Sequence, residues 1–156
     1  MIYPCRNHWS LLRFFLRRGI ITENAAIRYC RENMKKILLV EDEELIINLL
    51  SKKLAGLGFD VDLAMDGREG MKRMRENLPD LVLLDIVMPK MGGFEVIKEM
   101  KEDPLLAKIP VIIISNSGQP LELDKAKKMG VADWLVKTEF DPKEVVEKIN
   151  KYINAN

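Results

Sequence analysis

From residue 35 onward the chain alternates between short apolar runs and longer amphipathic stretches. Ile37–Val40, Leu81–Leu84 and Val111–Ile114 are unbroken runs of strand length, the pattern of strands buried on both faces of a parallel sheet. Phe59-Asp60-Val61-Asp62-Leu63 alternates, which predicts an edge strand with one wet face. Trp134-Leu135-Val136 predicts a short fifth strand. Helical spacings fill the gaps. Leu45, Ile46, Leu49, Leu50 and Leu54 make one stripe. Met71 and Met74 mark a second helix, Phe94, Ile97 and Met100 a third, and Leu123, Ala126 and Met129 a fourth that Gly130 stops. Val145, Val146, Ile149, Tyr152 and Ile153 mark a fifth, with Asp141 as N-cap and Pro142 in its first turn. Each stripe predicts core packing and nothing more.

Five strands alternating with five helices predict an α/β fold: a doubly wound five-stranded parallel sheet with helices on both faces. The edge character of the second strand selects the flavodoxin-like order 2-1-3-4-5. Right-handed crossovers then bring the carboxyl ends of strands one, three, four and five to one rim, where such sheets bind ligands. Glu41-Asp42-Glu43-Glu44 follow strand one, Asp85 strand three, Ser115 strand four and Lys137 strand five. Each has a plainer reading alone. Acids suit a helix N-terminus, an assignment kept for Glu43 and Glu44. Asp85 alone reads as a turn residue, Ser115 as a loop hydroxyl and Lys137 as a surface lysine. At four ends of one sheet they become three carboxylates, a hydroxyl and an ammonium in one shallow pocket.

Carboxylates so close repel, and a hard divalent cation relieves them. Mg²⁺ suits one to three carboxylates with waters and a phosphate oxygen. The cation would keep Asp85 ionised, as a nucleophile must be. An aspartate carboxylate is a covalent acceptor of phosphoryl groups. Such transfer needs mainly positioning and charge neutralisation, for which Lys137 and the Ser115 hydroxyl are placed.

Composition changes the picture at one end of the chain. The 156 residues suit a single domain, and 47% apolar content suits one core. The net charge of +1 hides an asymmetry. Residues 1–33 hold six Arg, no Lys and two acids, a balance of +4. Residues 34–156 hold three Arg, sixteen Lys and twenty-two acids, a balance of −3. A mildly acidic, Lys-rich domain predicts no direct nucleic acid binding. Met34 followed by Lys35-Lys36 and a strand reads as a natural start. We therefore expect a domain over 34–156 and read residues 1–33 as a translated upstream segment or start-site extension outside the fold. The alternative is an amphipathic basic helix, with Leu12, Phe15 and Leu16 facing one way and Arg13 and Arg17 another, suited to a membrane surface. Cys5, Cys30 and His8 all lie in that segment, so neither a disulfide scaffold nor a zinc site is expected in the body. No apolar run reaches membrane-spanning length and no secretory signal is present, so the expected location is cytoplasmic.

Over nearly all of 35–153 the residues resemble the receiver domain of bacterial response regulators, the phosphoacceptor of two-component systems. The resemblance rests on Glu41-Asp42, on LLDIVMPKMGGFE with Asp85, Met88-Pro89 and Gly92-Gly93, on VIIIS ending in Ser115, and on GVADWLVK ending in Lys137. It implies that a partner histidine kinase or phosphotransfer protein phosphorylates Asp85. It implies that Glu41, Asp42, Asp85 and the backbone carbonyl of Val87 hold Mg²⁺, that Ser115 bonds the phosphate, and that Trp134 is an aromatic switch residue coupled to it. The chain is then no enzyme beyond self-catalysed transfer to its own Asp85. Two residues depart from the pattern. Thr138 follows Lys137 where the family usually has a Pro after a cis bond, so this bond is expected to be trans or strained. Asn116 stands where a small Ala or Gly is usual and would slow or re-angle access.

The last predicted helix ends near Ile153, so no output domain is expected after it. Output is expected through a downstream protein on the face made by the domain's fourth helix, fifth strand and fifth helix, around Trp134. The alternatives are a phosphorelay shuttle and an interaction module that is never phosphorylated. A dehalogenase-type phosphatase would want a second Asp where Val87 stands. An FMN binder would want a Ser/Thr-rich phosphate loop where four acids stand.

Overall fold

The computed structural model describes residues 9–116, 118–138 and 141–153. Cys5 and His8 lie outside them. Two short helices come first, α1 (Trp9–Arg17) and α2 (Glu23–Glu32). The remainder runs β1 (Lys36–Val40), α3 (Glu44–Gly56), β2 (Asp60–Ala64), α4 (Gly67–Asn77), β3 (Leu81–Asp85), α5 (Gly93–Glu102), a 3-10 turn, β4 (Val111–Ser115), α6 (Pro120–Lys128), β5 (Asp133–Val136) and α7 (Pro142–Ile153). The strands form one parallel sheet in the order β2-β1-β3-β4-β5, as expected.

The unbroken apolar runs explain the layering. Successive residues of a strand point to opposite faces. Leu38 and Val40 of β1, Val82 and Leu84 of β3 and Ile113 of β4 join one core cluster with Met71 and Met74 of α4, Val96, Ile97 and Met100 of α5 and Ala126 of α6. Ile37 and Leu39, Leu81 and Leu83, and Ile112 and Ile114 join the opposite cluster with Leu50 and Leu54 of α3 and Val145, Ile149 and Ile153 of α7. Each fully buried large side chain contributes roughly 1.5–3 kcal/mol. The three central strands are thus dry on both faces, while the edge strands β2 and β5 are half-buried.

Helix ends follow local chemistry. Asp141 caps α7, accepting the N–H of Lys143 on Oδ1 at 2.9 Å. Gly130 takes a φ of +74° just past α6. The expected stripe of α3 is corrected. Its core face is Ile47, Leu50 and Leu54, whereas Leu45 is 77% and Leu49 48% exposed. So many apolar residues lie in this helix that two stripes fit the sequence, and the sheet covers only one.

β2 and β5 form the two edges. Asp62 Oδ1 accepts the N–H of Leu63 at 2.9 Å and is held by Arg73 of α4 at 2.5 Å. Asp133 Oδ1 accepts the N–H of Trp134 at 2.8 Å and is held by Lys148 of α7 at 2.5 Å.

In α1, Arg13 and Arg17 are exposed and Phe15 and Leu16 half-buried, the expected amphipathic split; the side chain of Leu12 is outside the described residues. Among the described residues neither core cluster includes one before Ile37, although Ala26 of α2 is buried. Among the described residues no helix is long and apolar enough to cross a membrane.

Candidate functional site

The parallel register levels the strand ends. Val40 lies opposite Leu84, Asp85 opposite Ile114, and Ser115 opposite Val136. Glu41, Asp85, Ser115 and Lys137 therefore emerge together. Lys137 Nζ donates to Glu41 Oε1 at 2.8 Å and to Asp85 Oδ2 at 2.9 Å, and stands 3.9 Å from Glu43 Oε2. All three central partners are dry: the side chain of Glu41 is 0% exposed, and those of Asp85 and Lys137 are 4% exposed. Ser115 is buried, and its carbonyl accepts the backbone N–H of Lys137 at 2.7 Å.

Asp85 Oδ1 accepts the N–H of Ile86 at 2.6 Å and that of Val87 at 3.3 Å, so the peptide after Asp85 folds back over its own carboxylate. Gly93 makes this turn possible. A Cβ there would collide with the Asp85 carbonyl oxygen and Ile86 Cα, so only glycine lets α5 begin against the acceptor's backbone. The bond between Lys137 and Thr138 is trans.

The electrostatics are unbalanced. One oxygen each of Glu41, Asp42 and Asp85 lie within 4.8 Å of one another. With Lys137, three carboxylates and one ammonium leave a formal charge of −2. Glu41 Oε1 is saturated by Lys137 and by the N–H of Glu43 at 3.0 Å. Glu41 Oε2 is buried with no hydrogen-bond partner. Burial pushes the Glu41 carboxyl above its usual value, against the pull of Lys137. Burial would lower the Lys137 ammonium, but its hydrogen bonds to Glu41 and Asp85 outweigh that and raise it. An orphaned buried carboxylate oxygen beside two further carboxylates fits a hard divalent cation.

Trp134 stands half-buried on β5 against the first core cluster, its indole N–H buried without an acceptor. Asn116 is exposed just past Ser115. A separate groove of about 640 Å³ opens between α4 and α5, lined by Arg68, Lys98 and Glu102 among others, and includes none of the strand-end residues.

Two residues at the rim were not singled out in the sequence. Asp66 caps α4, accepting the Glu69 N–H at 2.9 Å, and pairs with Lys90 at 2.5 Å. Asp66-Gly67 before a helical pattern carries an N-cap signal. Lys90, between Pro89 and Met91, carries no signal of its own.

The response regulator receiver domain family model matches residues 37–150, and the chain belongs to this family. It is 35% identical over 122 residues to the alkaline phosphatase synthesis transcriptional regulatory protein PhoP of Bacillus subtilis, covering 78% of this chain and 50% of that one. The chain spans about half the length of the curated relatives it matches. The structure resembles that of chemotaxis protein CheY4 of Vibrio cholerae, with a TM-score of 0.72, 28% identity, and coverage of 76% of this chain and 98% of that one. It shares its fold with the receiver domain of sensor histidine kinase PA1611 from Pseudomonas aeruginosa, at a TM-score of 0.72, 23% identity, and coverage of 78% and 98%. That protein holds a magnesium ion in its active-site cleft. This chain is thus a receiver domain of the two-component type, a phosphoacceptor signalling module.

Proposed function

We propose that Asp85 is the phosphoacceptor, taking its phosphoryl group from a phosphohistidine on a kinase or phosphotransfer protein. The observation that carries this is the Lys137 bridge between Asp85 Oδ2 and Glu41 Oε1 in a dry strand-end pocket. A bond forms between an Asp85 carboxylate oxygen and phosphorus. The donor's P–N bond breaks, and its electron pair leaves on the imidazole nitrogen. Lys137 meets the negative charge arriving on the phosphoryl oxygens, and Ser115 donates its hydroxyl to one of them. Glu41, Asp42, Asp85 and the Val87 carbonyl would hold Mg²⁺, which supplies charge neutralisation at the phosphate when bound. The low-dielectric surroundings strengthen each of these contacts.

The change is read by a protein partner on the face of α6, β5 and α7, with Ser115 and Trp134 as its switch. Mg²⁺-dependent uptake from acetyl phosphate, followed by intact mass, tests the assignment. Wild type should gain one hydroxylamine-labile phosphoryl group and Asp85→Asn none. Labile uptake by Asp85→Asn would refute the acceptor, and no uptake by wild type would leave only a phosphorylation-independent interaction module.

We also infer that the working unit is 34–156, in the cytoplasm, with residues 1–33 outside it. Core clusters and a family match that both begin at Ile37 support this boundary. A chain starting at Met34 should melt and take up phosphate as the full chain does; a large fall in melting temperature would move the boundary upstream.

A further inference from the structure

The loop from Ile86 to Gly92 leaves the acceptor strand and carries Val87; its start is held by Asp85 Oδ1 and its end by Glu95, while its middle depends on contacts from outside. Met91 N–H bonds the Pro89 carbonyl at 2.7 Å, and Gly93 N–H bonds the Ile86 carbonyl at 2.9 Å. Between these lies Lys90, a non-glycine residue with a φ of +64°. L-residues rarely adopt that conformation unless the surroundings impose it. The Met91 N–H on the Pro89 carbonyl closes a tight turn around that φ, and a contact from a different βα turn adds to it. Lys90 Nζ reaches Asp66 Oδ2 at 2.5 Å, while the other oxygen of Asp66 caps α4. The Asp66 side chain is only 8% exposed, so it is held rigidly as an anchor. Next to it, a Cβ on Gly67 would collide with the Met91 carbonyl oxygen, so the loop lies flat on the first turn of α4.

We propose that Lys90, through Asp66, is a positioning residue for the cation site: it braces the acceptor loop so that the Val87 peptide faces the carboxylates of Asp85 and Asp42. The inference rests on the reading of Asp85 and Val87 given above. Neither Lys90 nor Asp66 touches the reacting atoms. Their ion pair selects one loop conformation from those open to a short segment containing Pro89. Supporting residues of metal ligands commonly govern metal affinity in this way.

The test is Mg²⁺ affinity by calorimetry on the full chain, with phosphoryl uptake from acetyl phosphate as a second readout. Lys90→Met keeps the stem and the backbone demand but removes the ammonium. It should weaken Mg²⁺ by about fivefold, less than the roughly tenfold or more typical of a supporting residue because the Lys90 side chain is 66% exposed. Lys90→Arg should stay within about twofold of wild type, since a guanidinium can also reach a fixed carboxylate. Lys90→Gly should lose affinity like Lys90→Met, because glycine relaxes the backbone without restoring the pair. Asp66→Asn should match Lys90→Met, and the double variant should be no weaker than either alone. At saturating Mg²⁺ the uptake rate of Lys90→Met should return to near that of wild type. Unchanged Mg²⁺ affinity in Lys90→Met, or equal losses in Lys90→Met and Lys90→Arg, would overturn the brace while leaving Asp85 as acceptor. Absence of any Mg²⁺ binding that Asp42→Ala removes would sink the site reading, and the brace with it.

Discussion

Replacing Lys137 by Met strips the single ammonium from between two buried carboxylates and keeps roughly the same volume. At an effective dielectric of about 20, an ammonium about 3 Å from a carboxylate gains about 6 kcal/mol, much of it offset by desolvation of both groups. Its separations from Glu41 and Asp85 are 2.8 and 2.9 Å. Losing one partner of such a buried pair costs about 3–5 kcal/mol, because the remaining charge is stranded. The cost should depend on pH. Burial already holds the Glu41 carboxyl above its usual 4.5, and without Lys137 it rises further. A carboxyl whose folded pKa exceeds its unfolded one binds more protons when folded. It favours the fold below the unfolded value and loses that contribution as pH rises through the folded value. The ammonium works over the neutral range as well. Its raised pKa gives wild type a contribution fully present below the usual 10.5 and lost only above the folded value. Lys137→Met should therefore be worst at pH 7 and above and approach wild type near pH 4. Mg²⁺ should stabilise the variant, by about 2.7 kcal/mol at a hundredfold excess over Kd. Urea titrations at acid and neutral pH, with and without Mg²⁺, measure all of this. A penalty below about 1 kcal/mol at neutral pH, or one that does not change with pH, would refute the reasoning.

Asp42→Ala should weaken Mg²⁺ binding well beyond Glu43→Ala, since Asp42 belongs to the carboxylate cluster and Glu43, at the N-terminus of α3, does not; equal losses in a titration would refute the division. Asp133→Asn should cost about 1 kcal/mol at pH 7. Burial would raise the Asp133 carboxyl, but Lys148, the Trp134 N–H and Tyr152 outweigh it and lower it, so the wild-type advantage holds above 3.8 and fades as pH falls through the folded value. An unfolding curve with an unchanged acid limb would count against that pair. Ser115→Ala should slow phosphoryl uptake by about a hundredfold and abolish the Trp134 fluorescence change, read in a Trp9→Phe background. A wild-type response from Ser115→Ala would break the proposed coupling.

The strands and their order were legible because burial on both faces leaves a continuous apolar run, which few other environments produce. The candidate site was legible because every member directly follows such a run, so the topology alone brought them together. What stayed hidden depends on rotation and register. Helix α3 offers several apolar stripes, and only docking selects Ile47, Leu50 and Leu54 over Leu45 and Leu49. Glu41 and Asp42 look equivalent in sequence, yet one is sealed against Lys137 and the other is exposed. The pairing of Lys90 with Asp66 spans 24 positions and joins two loops, and no local pattern encodes it.

The two Asp residues at the margins of the sheet have a consequence for how the molecule behaves among its own copies. An open parallel sheet can template growth: an unpaired strand from another chain could dock along either side and extend the ladder. Here an arriving strand finds the Leu63 and Trp134 amides already taken by the carboxylate of the preceding residue. To pair, it would have to displace Asp62 from Arg73 and Asn77 on one side, or Asp133 from Lys148 and Tyr152 on the other, and leave charges stranded against a new backbone. Each margin thereby presents an amide already withdrawn and a paired charge to any strand that would extend the five-stranded ladder.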